Sequence, residues 1–96
     1  MVLKIELERK LELLKPILYS TYYVEKIGVF GSFARGEQTK NSDVDILVSF
    51  YKPIGWAFFD LKEFLEKELD RKVDLVTKNA IKRQLESTIL SEVQYI

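Results

Sequence analysis

Gly31-Ser32-Phe33-Ala34-Arg35-Gly36, followed by Asn41-Ser42-Asp43-Val44-Asp45-Ile46-Leu47-Val48, is the stretch that decides the fold. One apolar run, Ile27 to Phe30, ends on the Gly-Ser pair. A second, Ile46 to Val48, opens on two acids one residue apart. Buried strands rarely open on two carboxylates, because an unpaired buried charge is costly. A cation at that point resolves the conflict, and a divalent metal is the best candidate. Side chains alternate across a strand, so Asp43 and Asp45 share a face, with Cα atoms about 6.6–6.8 Å apart. Two carboxylates so spaced can serve a pair of divalent ions, which lie about 3.5–4 Å apart in two-metal sites. Val44, Ile46 and Val48 then face the core, while Leu47 shares the acidic face and needs cover from other elements.

Working outward, residues 24–30 and 43–50 are the first two strands, rich in β-branched and aromatic residues. Ser32 is placed to cap a short helix that runs through Arg35 and stops at Gly36. Upstream, Leu3, Leu7, Leu11, Leu14 and Leu18 recur at helical steps over residues 2–19, with Pro16 expected to kink or end that helix. Downstream, Pro53 and Gly55 break the chain. A helix over 56–69 carries Phe58, Leu61, Leu65 and Leu69 on one face, and residues 72–77 form a third strand. Asn79 is expected to cap a last helix over 80–93, with Ile81, Leu85, Ile89 and Val93 as its stripe. The order αβ(α)βαβα describes an α/β (α+β) fold, helices on a small sheet of three or four strands.

Asp74 interrupts the third strand, in Val73-Asp74-Leu75-Val76. If the second and third strands are neighbours, it joins Asp43 and Asp45 on one face, and three oxygen ligands suit Mg²⁺ or Mn²⁺. Without metal, such a cluster raises its own pKa values. The Gly-Ser turn is the complement. Gly31 lets a phosphate approach the backbone, Ser32 offers a hydroxyl and an N–H, and Arg35 can add a charge-assisted contact. For turn and acids to meet, the first two strands must run antiparallel, which makes the sheet mixed. Gly-Ser or Asp-x-Asp alone is a weak signal; the ordered set is strong. No Walker A pattern occurs.

Composition bounds the chemistry. With 96 residues the chain is expected to be one domain, residues 1–96, with no room for a second, acceptor-holding domain. Hydrophobic residues make up 47%, as in ordinary globular proteins. Fifteen basic and 15 acidic residues cancel, which argues against bulk attraction to nucleic acid or an acidic membrane. Cysteine and histidine are both absent, removing thiolate chemistry and the usual neutral-pH base. No signal peptide or membrane span is visible, so a cytoplasmic location is expected. Trp56, Phe58 and Phe59 cannot all face one core; one or more is expected to form a partner surface or a base-stacking wall. Tyr19, Tyr22, Tyr23 and Tyr51 could also lie at the surface; core or edge packing is expected for most of these aromatics and partner contact for one or two.

These motifs resemble the nucleotidyltransferases of the DNA polymerase β superfamily, and more closely the minimal single-domain nucleotidyltransferases paired with HEPN-domain toxins in toxin–antitoxin systems. Gly31 to Gly36 fits the family's GSxARG turn, Ser42 to Asp45 its SDxD segment, Asp74 its third acid, and Leu90 to Ile96 its close. The resemblance implies transfer of AMP from ATP to a tyrosine hydroxyl of a HEPN toxin, with pyrophosphate leaving and two Mg²⁺ ions assisting. It implies Asp43, Asp45 and Asp74 as catalytic metal ligands. Asp74 also assists deprotonation of the acceptor, Gly31 and Ser32 hold the triphosphate, and Arg35 is an accessory contact. Two alternatives stay open: an antitoxin that works by occlusion alone, and a transferase for a small-molecule acceptor. A homo-oligomer also stays open, and no direct contact with nucleic acid or membrane is expected.

Overall fold

The computed structural model describes residues 3–96. The elements are α1 (Lys4–Tyr22), β1 (Val24–Phe30), α2 (Gly31–Arg35), β2 (Val44–Phe50), α3 (Ala57–Leu69), β3 (Val73–Thr77), a 3₁₀ turn (Lys78–Ala80), α4 (Arg83–Glu92) and β4 (Gln94–Tyr95). One four-stranded sheet has the order β3-β2-β1-β4. β1 runs antiparallel to β2 and β4, while β2 and β3 are parallel and joined through α3. The sheet is therefore mixed, as the chemistry of the Gly-Ser turn required.

One face of the sheet is buried under α1 and α3. Leu7, Leu11, Leu14 and Leu18 of α1 and Leu61, Leu65 and Leu69 of α3 pack on Val24, Ile27, Val29, Val44, Ile46, Val48, Val73 and Leu75. Phe33 is fully buried in the same core and anchors α2. Leu3 is half exposed, and the expected helix start at residue 2 lies outside the described residues. The opposite face carries Asp45 and Leu47. Val93, just before the edge strand β4, packs on this face at Gly28, where a side chain would collide with it. Leu47, opposite Gly28 in register, is buried there.

Two expectations need correction. Pro16 does not end α1, which continues to Tyr22. It lies among Lys15 and Ile17 on the exposed face, where water can satisfy the carbonyl that its missing N–H leaves free. Asn79 does not cap the last helix. It sits in the 3₁₀ turn, and Ile81 and Lys82 are extended, so α4 starts only at Arg83. The α4 stripe contributes no buried residue to the core, and Leu85 is 51% exposed.

Leu11 is completely buried. Leu11→Ala is expected to cost about 2–5 kcal/mol in urea unfolding, and Trp56→Ser on the exposed side less than about 0.5 kcal/mol.

Candidate active site

The sheet register assembles the site. Phe30, last residue of β1, pairs with Asp45, and Asp45 pairs on its other side with Asp74. The Gly-Ser turn and two of the acids thus meet across three adjacent strands. Gly31 has φ +72°, and a Cβ there would collide with Asp45 Oδ2. Glycine is required twice over, by the left-handed backbone and by the carboxylate against it.

Asp43 directly precedes β2, and the backbone on both sides of it is held. Arg71 Nη1 donates to the Ser42 carbonyl at 2.8 Å, and the Val44 N–H donates to the Lys72 carbonyl at 2.9 Å. The Arg71 guanidinium also lies 5.3 Å from the centre of the Phe33 ring, tying the approach to β2 to α2. Arg71 is thereby engaged away from Asp74, which makes no salt bridge among the described residues. A shallow depression of about 480 Å³ opens beside Asp43, rimmed by Lys40, Asn41, Arg71 and Lys72.

The electrostatics are those of a site short of positive charge. Asp43 and Asp74 are exposed, and Asp45 is partly buried. Burial, then repulsion from Asp74 and Asp43, pushes the Asp45 carboxyl up from 3.8 to about 6, with Arg35 opposing and Glu92 adding to the rise. Among the described residues no three acids close round one point as a preformed cage. Like charges with no cation between them favour staying apart. The donor set still fits a hard divalent ion: every candidate ligand is a carboxylate, and Asp45 carries the electrostatic cost that a cation would remove.

Ser32 lies one residue inside α2 and not at its cap, a position held by Phe30 with no side-chain bond to the first turn. Arg35 lies at the rim, paired with Glu37 and Glu92, and both carboxylates raise its pKa further. Two residues of the site were not singled out by sequence, although Glu92 lies within the Leu90 to Ile96 close. Arg71 and Glu92 act through contacts 29 and 61 residues away along the chain. Only knowledge of the register would have pointed to them. The aromatics lie elsewhere. Trp56 is 85% exposed and stacked on Phe59, beyond the C-terminal end of β2, so this pair forms no wall for a base near Asp45.

The nucleotidyltransferase domain family matches residues 11–96. The protein adenylyltransferase MntA of Thermococcus cleftensis is 45% identical over 92 residues, spanning 95% of this chain and 93% of the relative. A crystal structure of a toxin–antitoxin with AMP-PNP superposes with a TM-score of 0.72 at 26% identity, over 90% of this chain and 70% of that one. The fold is also that of a complex between a tri-AMPylated Shewanella oneidensis HEPN toxin and its MNT antitoxin, with a TM-score of 0.64 at 21% identity, over 92% and 68% of the two chains. The chain belongs to the nucleotidyltransferase domain family, in the minimal branch that includes the MntA protein adenylyltransferases.

Proposed function

We propose that residues 1–96 act as one Mg²⁺-dependent catalytic unit in the cytoplasm. The unit transfers AMP from ATP to a hydroxyl, a tyrosine of a partner HEPN toxin, and so acts as an antitoxin. The observation that carries this reading is the pairing of Phe30 with Asp45 and of Asp45 with Asp74, which sets a glycine turn against an acidic cluster. The kinship with MntA, and the toxin–antitoxin complexes that share the fold, support the acceptor assignment.

Asp43, Asp45 and Asp74 are the residues assigned to hold Mg²⁺. When bound, the ion neutralises polyphosphate charge and lowers the pKa of a coordinated hydroxyl. Gly31 and Ser32 receive the triphosphate, Gly31 because nothing larger fits beside Asp45. Arg35, which already shares its charge with two carboxylates, adds an accessory contact. The acceptor oxygen bonds to the α-phosphorus as the bond to pyrophosphate breaks, and its proton passes to the exposed Asp74 carboxylate. Leu85, left exposed on α4 with Ile89 and Leu90 only partly buried near it, favours a protein as the source of that acceptor.

The deciding experiment incubates the chain with a candidate HEPN toxin, α-labelled ATP and Mg²⁺. Label is expected on the toxin, and Asp43→Asn is expected to reduce transfer by at least about a hundredfold, as does EDTA. A variant that transfers nothing yet neutralises the toxin fully would favour occlusion. Gly31→Ala is expected to fold poorly or to lose nucleotide binding, measured by calorimetry, because its Cβ displaces the Asp45 carboxylate.

A pH signature follows from Asp45. Its folded-state pKa, about 6, lies above the unfolded value, so metal-free folded protein binds the extra proton. That stabilisation is present below about pH 4 and is lost as pH rises to about 6. Asp45→Asn is therefore expected to stabilise the metal-free protein at pH 7.5 by about 1 kcal/mol, solvent around the half-exposed carboxylate damping the full effect. Mg²⁺ is expected to raise the melting temperature of the wild type and not of this variant.

A further inference from the structure

α2 begins on Phe30, which offers no capping group, yet its first N–H is satisfied. Gly31 N–H donates to Glu92 Oε1 at 2.9 Å. The same carboxylate accepts Arg35 Nη1 at 3.2 Å on each of its oxygens. Glu92 thus restrains both ends of the short helix at once: the glycine that abuts Asp45 and the arginine at its last turn. Its side chain is only 22% exposed. The element that delivers it is unusual. α4 buries no residue of its own, so it adds little to the core; what it delivers to the sheet is this carboxylate and the Val93 that follows.

Gly31 is consequently held from two directions, with Asp45 on one side and Glu92 on the other. A phosphate-binding turn must present its donors at fixed positions, since small displacements lose much of the benefit of orientation. The Gly31 and Ser32 N–H groups lie on successive peptide planes hinged at Gly31, so a hold on the first, with Asp45 pressed against the Gly31 Cα, narrows where the second can point. The carboxylate also limits where Arg35 can point. We propose that Glu92 is a positioning residue for nucleotide binding, a tertiary cap that sets the Gly31-Ser32 turn and Arg35 in place for the triphosphate.

This inference rests on the nucleotidyltransferase reading, and the test separates the two. The full chain is titrated calorimetrically with α,β-methylene-ATP and Mg²⁺, a pair that binds without transfer. Absence of binding by the wild type would sink the enzyme reading itself. Given wild-type binding, Glu92→Ala is expected to weaken it at least about tenfold, the equivalent of one charge-assisted hydrogen bond. Glu92→Asp keeps the charge and falls short by one methylene; it is expected to weaken binding to a similar degree and settles the question if the alanine variant does not fold. Glu92→Gln keeps an oxygen for the Gly31 N–H and is expected to restore most of the affinity. In ¹⁵N-correlated spectra the Gly31 amide proton is expected to move upfield in the alanine and aspartate variants and to stay near its wild-type position in the glutamine variant. Unchanged affinity in folded Glu92→Ala or Glu92→Asp would overturn the proposal. So would tighter binding, which would mean that the carboxylate competes with phosphate for the same donors.

Discussion

Asp45 holds one negative charge in the middle of a sheet that cannot move away from it. Its backbone is paired on both sides, with Phe30 and with Asp74, and its carboxylate is pressed against the Gly31 peptide. The hydrophobic contacts of Val44 and Ile46 on the other face fix that register, because a slip of one residue would send apolar side chains to the wrong side. Core packing therefore enforces an unfavourable electrostatic arrangement. The rise in the Asp45 pKa expresses the conflict, which a cation bound there would relieve.

The surrounding charges sharpen this point. Among the described residues Arg35 is the one cation that acts appreciably on Asp45, and it is shared with Glu37 and Glu92. A naked polyphosphate would meet a field that is negative overall. The turn, for its part, has only polar N–H groups and a hydroxyl to offer. Under the proposed function, recognition of nucleotide and capture of a divalent cation are expected to be a single event, since neither ligand alone balances the charge.

Much of this was legible in the chain because it is local. β1 carries its expected bounds, and β2 and β3 differ by one residue at their starts, because β-branched runs end at sharp polar breaks. The face shared by Asp45 and Leu47 follows from alternation alone. The antiparallel pairing of β1 and β2 was legible for a chemical reason, the need to bring turn and acids together. What escaped is non-local. The two-residue β4 is too short to carry a pattern. The late start of α4 depends on extended conformations at Ile81 and Lys82 that no propensity signals. The tolerance of Pro16 depends on which side of α1 faces water. Arg71 is an ordinary surface residue by sequence and Glu92 sits unassigned in the Leu90 to Ile96 close; only the fold turns them into supports for Asp43 and Gly31.

The sheet's margins carry one more implication. β4 closes one border with only two residues, and β3, at the other border, has Asp74 as its second residue. A bare strand margin is an invitation for neighbouring molecules to stack and grow into fibrils, and a charge planted on it is a common deterrent. The acid assigned to the reaction thus also sets a charge on an open sheet edge, where it works against strand-to-strand stacking between copies.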